Sequence, residues 1–250
     1  MSLPFAPITR PRAALHAAVV VVALLAWVLL SETFGLGPLG QGHLALIVHA
    51  GLTGLIALAL VFIATLGDAD RVASLGLSRP AWLPTVLAAM LGAGATYIVS
   101  AVVSGAAMFA MGGMKDVEAK ARALAVLGDI PIWTIAPIAL FAGFYEEVVF
   151  RGFLLGRLRI VFGESRRGLA AAVFVSSLLF ASGHAYQGKL GLVQTFAAGA
   201  CLGVLAAVRR SLWPSILAHA AIDLFGLFAL QFLRPALEKI LEHEGFKGFG

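Results

Sequence analysis

Three stretches of this 250-residue chain place ionisable side chains inside apolar sequence. The first, FAGFYEEVVFRGFLLGRL, carries Glu146, Glu147 and Arg151. The second, SSLLFASGHAYQG, carries His184, with Phe180 one turn before it and Ser177 two turns before. The third, LWPSILAHAAIDLFG, carries His219 and Asp223. Carboxylates and imidazoles are the side chains best suited to passing protons near neutral pH. Adjacent residues on a helix point about 100° apart, so Glu146 and Glu147 face different surroundings. Glu147 and Arg151 are spaced i,i+4 and can pair on one face, which neutralises Glu147 and anchors it. Glu146 has no such partner and is the carboxyl free for proton transfer. His219 and Asp223 also share a face at i,i+4, where Asp223 can accept a hydrogen bond and fix the imidazole tautomer.

The elements that must hold these groups are membrane helices. Sixty per cent of the residues are hydrophobic and 12% are charged, where a soluble domain has about a quarter charged. The mean hydropathy is +0.96. So little polar surface cannot cover a water-exposed globule, so lipid must. A membrane helix takes about 20 apolar residues, and seven segments qualify: roughly 13–30, 43–66, 81–111, 131–158, 168–186, 190–208 and 212–233, with room for an eighth short element. The third is long enough to tilt strongly or to break near Gly92 and Gly94. The fourth is apolar to about Phe150 and continues as an Arg-bearing amphipathic extension. The fold class expected is therefore all-α, a polytopic transmembrane bundle of about seven to eight helices with an intramembrane catalytic cavity. A charged side chain at mid-membrane costs about 2.5–3.5 kcal/mol on the insertion scale, so the clustered ionisable groups need a functional reason.

The net charge of +5 reads as orientation rather than as nucleic-acid binding. With the N-terminus cytoplasmic, inside segments hold Arg10, Arg12, Arg71, Arg79, Arg151, Arg157, Arg159, Arg166, Arg167, Arg209 and Arg210, against seven basic residues outside. Trp27, Trp82, Trp133 and Trp213 fall near the expected helix ends, as interfacial anchors do. The first apolar run follows Arg10 and Arg12 but is too long for a cleaved signal and lacks a small-x-small site, so it reads as a retained helix. The single cysteine, Cys201, excludes a disulfide or a Cys-based metal site.

Residues 1–250 read as one membrane domain without linker or repeat. Residues 67–80 form a polar loop that restarts a helix at Pro80. Residues 114–128 read equally well as an amphipathic surface helix and as a connecting loop, and 235–250 as a frayed, solvated tail. Antiparallel pairing of the fourth and fifth segments near Gly163 brings Glu147 level with about Leu179. His219 and Asp223 lie two to four turns from Arg209 and Arg210. The groups thus fall at similar depth. His16, His43 and His49 stand alone and carry no expected role.

Glu-Glu-x-x-x-Arg at 146–151, Phe-x-x-x-His at 180–184 and His-x-x-x-Asp at 219–223 resemble the CAAX-protease and bacteriocin-processing (CPBP, or Abi) family of intramembrane proteases. The eukaryotic type II CAAX prenyl endopeptidase is its best-known member. Arg151–Leu158 and Ser176–Ser177 add to the resemblance, which covers about 130–230, the expected protease core. Gly76–Pro80 is a fainter likeness. The family's commoner last residue is Asn where this chain has Asp223.

The resemblance implies an intramembrane endopeptidase in which Glu146, helped by His184, activates water. His219 and Asp223 stabilise the oxyanion or orient its neighbours, Glu147 and Arg151 hold the helix, and Phe180 shapes the cavity. Glu146, His184 and His219 would be the ligands if Zn²⁺ were bound. The chain has no His-Glu-x-x-His motif, and the reading favours chemistry without metal. The expected partners are the lipid bilayer and a membrane-embedded or membrane-anchored protein or peptide substrate, with no nucleic acid. The expected location is a bacterial inner membrane. The short Ala/Gly/Leu-rich chain points to peptide maturation, bacteriocin self-immunity or trimming of a membrane anchor rather than to prenylated substrates. Two other readings compete: an inactive immunity or scaffold protein of the same fold, and a small proton-coupled transporter using Glu and His as a relay.

Overall fold

The structure, a computed structural model, describes residues 8–33, 42–110 and 131–243. The described residues are helical with no strands. In chain order they form α1 (Arg10–Thr33), α2 (Gly42–Ala64), the short α3 (Arg71–Ser74), α4 (Trp82–Ala110), α5 (Ile132–Glu147), a π-helical segment (Val148–Leu154), α6 (Leu155–Phe162), α7 (Arg166–Ser182), a 3₁₀ turn (Ala185–Gln187), α8 (Gly188–Arg209) and α9 (Trp213–His243). Residues 114–128, read as either a surface helix or a connecting loop, lie outside the described residues.

Among the described residues, five segments are long and apolar enough to cross a membrane: Arg10–Ser31, Ile47–Ala64, Trp82–Ala110, Ala185–Arg209 and Trp213–Leu233. Their outer faces expose large apolar side chains, with Leu91 at 76% and Phe109 at 93%. Such a surface belongs in hydrocarbon, and helices satisfy their backbone groups there internally. The protein is a polytopic integral membrane bundle. The π-segment divides α5 from α6, and α7 has 17 residues beginning with Arg166 and Arg167.

One open reading of the long helices is resolved and one expectation changes. α4 runs unbroken past Gly92 and Gly94. Gly92 is a contact point, since a Cβ there would meet the Leu205 side chain of α8 at 2.5 Å. α9 continues as helix through Pro235 to His243, so the first part of the expected frayed tail is helical. Residues 244–250 lie outside the described residues.

The core is built from helix pairs. α9 packs against both α4 and α5, α8 against α4 and α7, and α1 against α2 and α6. At Gly143 a Cβ would sit 2.7 Å from the Ala220 amide nitrogen. Small residues on both sides thus let α5 and α9 approach backbone to backbone, a packing mode common in lipid.

The arginine-rich segments gather at one end of the bundle. Arg157 donates to both carboxylate oxygens of Asp68 at 2.9 and 2.8 Å, a buried pair tying loop 67–80 to α6. Arg12 lies against Gly67. The loop is more ordered than its polar composition implies. Asp70 caps α3 through the Ala73 amide, Leu75 is buried, and the Leu212 amide donates to the Gly76 carbonyl at 2.9 Å. Gly76 has a φ of 72°, open to glycine without steric cost.

Candidate active site

The helix that carries the two glutamates changes its winding just after them. From Val148 to Leu154 the chain is π-helical, and the Leu155 amide reaches back to the Phe150 carbonyl. A π-turn widens the helix and frees backbone groups for outside partners. The Ser176 hydroxyl of α7 donates to that same Phe150 carbonyl at 2.7 Å. The widened turn is thereby fastened to α7, which leads to His184.

Glu147 is fully buried, at 0% exposure. Its Oε1 accepts from Arg151 Nη1 at 2.7 Å and from His219 Nδ1 at 2.8 Å. The Arg151 guanidinium also donates to the Gly199 carbonyl of α8 at 3.2 Å. It lies 4.2 Å from the Phe180 ring centroid, within cation–π range. Gly199 eases this crowding: a Cβ there would meet Phe180 at 3.1 Å and Arg151 Nη2 at 3.3 Å, close enough that these side chains would have to shift. One ion pair therefore joins the glutamate helix, α7, α8 and α9.

The partner of His219 differs from the expected one. Asp223 Oδ2 lies 3.6 Å from His219 Nε2, beyond hydrogen-bond length. Glu147 holds Nδ1 instead. The cause is the Gly143–Ala220 contact, which presses α5 onto α9 one turn before Glu147 and one residue after His219. With Nδ1–H directed at a carboxylate, Nε2 is the ring atom turned toward Glu146, at 3.7 Å from Oε2, and toward Asp223.

Glu146 points the other way, into a cavity of about 540 Å³. Its Oε1 accepts from the Tyr145 hydroxyl at 2.9 Å. Phe150, Phe180, His184, Tyr186 and Asp223 also line this cavity, and α1 and α2 add apolar walls through Val21, Leu24 and Ala57. His184 Nδ1 lies 3.1 Å from the Phe180 carbonyl. A carbonyl can only accept, so Nδ1 carries the proton and Nε2 remains as the basic atom. The His184 ring lies between Phe180 at 4.9 Å and Tyr186 at 6.1 Å.

The structure thus divides the seven residues singled out from sequence. Glu146, His184, Asp223 and Phe180 face the cavity. Glu147, Arg151 and His219 form the layer behind it. Tyr145, Tyr186 and Gly199 were missed. Gly199 gave no signal in sequence, whereas Tyr145, directly before the glutamates, could have been found as a buried hydroxyl needing a partner. Of the histidines given no role from sequence, His16 lies near Arg12, whereas His49, stacked on Trp27, lines the cavity wall.

The expected Zn²⁺ donors were Glu146, His184 and His219. Among the described residues, no three His, Cys, Asp or Glu side chains converge as a metal-holding group. Both imidazoles spend Nδ1 on protein partners.

Residues 128–225 match the family model described as type II CAAX prenyl endopeptidase Rce1-like. No curated protein and no solved structure matches the chain.

Proposed function

We propose that this chain, which resembles the CPBP family of CAAX-type proteases over residues 128–225, is a glutamate-dependent intramembrane endopeptidase. The observation that carries this reading is the opposite placement of two adjacent carboxylates. Glu147, buried behind the cavity, is held through Oε1 by Arg151 and His219, while Glu146 reaches a cavity large enough for a few substrate residues.

In the proposed reaction Glu146 takes a proton from water, with His184 Nε2 as a second acceptor in the same cavity. The water oxygen attacks the scissile carbonyl carbon, and the C–N bond breaks as the nitrogen receives that proton. His219, its Nδ1 held by the Glu147 carboxylate, offers Nε2 toward the developing oxyanion when protonated. Asp223 has a carboxylate near the same Nε2 and supports the cationic ring rather than donating itself. The apolar walls exclude water and strengthen each of these contacts.

The substrate is a membrane-associated protein or peptide entering among α1, α2 and α9. The gathering of arginines at one end supports a cytoplasmic position for that end and the N-terminus, in a bacterial inner membrane. The test is cleavage of a candidate membrane-anchored substrate pool by the purified protein in proteoliposomes, followed by terminal peptide mapping. New termini are expected with the native chain and absent with Glu146→Gln. Equal processing by a correctly inserted Glu146→Gln protein would sink the proposal and return the scaffold reading. Proton flux without peptide cleavage would favour the transporter reading.

A further inference from the structure

A second cleft, of about 280 Å³, lies at the arginine-rich end, between loop 67–80, the first turn of α4 and the α8–α9 turn. It shares no lining residue with the active-site cavity. Its charged lining is Arg79, Arg209 and Arg210, with no acidic side chain. Arg151, Arg157 and Arg159 each have a carboxylate partner. Among the described residues, the three cleft arginines form no ion pair. Cations crowded without counter-charge repel one another and lower their energy by taking an anion.

The cleft is built rather than incidental. Arg210 adopts a left-handed backbone, with φ 50°, which a non-glycine residue occupies only at a steric cost. The Trp213 indole N–H donates to the carbonyls of Leu77 and Ser78 at 3.3 and 3.1 Å, fixing the loop beside Arg79. The first turns of α4 and α9, both long helices, border the cleft through Thr85 and Pro214, and helix starts carry partial positive charge. Trp82 and Trp213 meet edge to face at 5.6 Å beside it, the residue type that marks the headgroup level of a bilayer. Next to the cleft, the outer face of α4 exposes Leu83 at 73% and Met90 at 67%.

A ligand that fits all of this is anionic at one end and hydrocarbon at the other. We infer that this cleft binds the phosphate of an anionic glycerophospholipid headgroup, with the acyl chains along α4. Guanidinium groups match phosphate oxygens in paired hydrogen bonds. The inference does not depend on the proposed proteolysis.

The test is native mass spectrometry of the full chain released from detergent with equimolar phosphatidylglycerol and phosphatidylcholine of identical acyl chains. One phosphatidylglycerol is expected to be retained at least tenfold over phosphatidylcholine. Arg79→Gln/Arg209→Gln/Arg210→Asn should lose that preference, while Arg10→Gln/Arg166→Gln/Arg167→Gln, with the same charge removed at the same end, should keep it. Should the cleft triple variant fail to fold, each single substitution should still weaken retention at least twofold. Equal retention by the cleft variants, or equal loss in the control, overturns the inference. Displacement of phosphatidylglycerol by millimolar inorganic phosphate alone would show a soluble-anion site and overturn the lipid assignment.

Discussion

The cavity wall and the layer behind it use the same residue types in opposite ways. On the wall, Glu146 and His184 each have one hydrogen bond that orients them and a second atom left open. Behind it, Arg151 and His219 both donate to Glu147 Oε1, and all three are buried with almost no exposure. Adjacent positions in the chain thus separate a group able to react from a group that holds the architecture. A buried carboxylate is tolerable only when neutralised, whereas a proton-transfer group must keep an atom free. The π-segment begins immediately after this divide and connects the two layers through Ser176.

The comparison can be broken most forcefully at the glutamates. Glu146→Gln is expected to lower proteolytic turnover by about 10²–10⁴-fold, the range for removing a general base, with little change in a detergent thermal melt. Glu147→Ala should do the reverse in its primary effect. It leaves a buried arginine unpaired and should cost about 3–5 kcal/mol of stability, seen as poor yield and a lowered melting temperature. If the two variants behave alike in the melt, the division into wall and scaffold is wrong.

A double variant sharpens the point. Glu147→Met with Arg151→Leu removes both buried charges, and replacing such a pair with apolar residues is often neutral. Most of the stability lost in Glu147→Ala should return. Activity should not, because His219 Nδ1 has lost the acceptor that sets its orientation. Recovery of full activity would reduce Glu147 to a folding element alone.

Packing changes come next in size. Gly143→Ala forces a methyl group against the Ala220 backbone and must push α5 from α9, at about 1–3 kcal/mol. Its loss of turnover should exceed that of Gly199→Ala, whose nearest neighbours are side chains. Parallel turnover and melting measurements on both variants decide this. The smallest effect is expected for Asp223→Asn. Asp223 is a third exposed and 3.6 Å from His219, so turnover should change by no more than about fivefold, equivalent to ~1 kcal/mol. A loss as large as that of Glu146→Gln would give Asp223 a direct role.

Much of this was legible beforehand. The hydrophobic runs located the helices, because a bilayer demands long apolar segments and little else satisfies them. The i,i+4 spacing foretold the Glu147–Arg151 pair, since both ends lie on one helix. The shared face of His219 and Asp223 was equally local. The hydrogen bond between them was not, because a nearer acceptor arrived from another helix.

By itself the sequence determined a polytopic helical membrane protein, its three chemical segments and the separation of Glu146 from Glu147, all of which follow from periodicities within single helices. Only the tertiary structure decided that Glu147 rather than Asp223 holds His219, that Tyr145 attends Glu146 and that Gly199 receives Arg151. Those choices depend on how closely α5 and α9 approach at Gly143 and Ala220, and on a π-turn that no helical periodicity records. Distances between helices are set by packing, and residue spacing along the chain does not contain them.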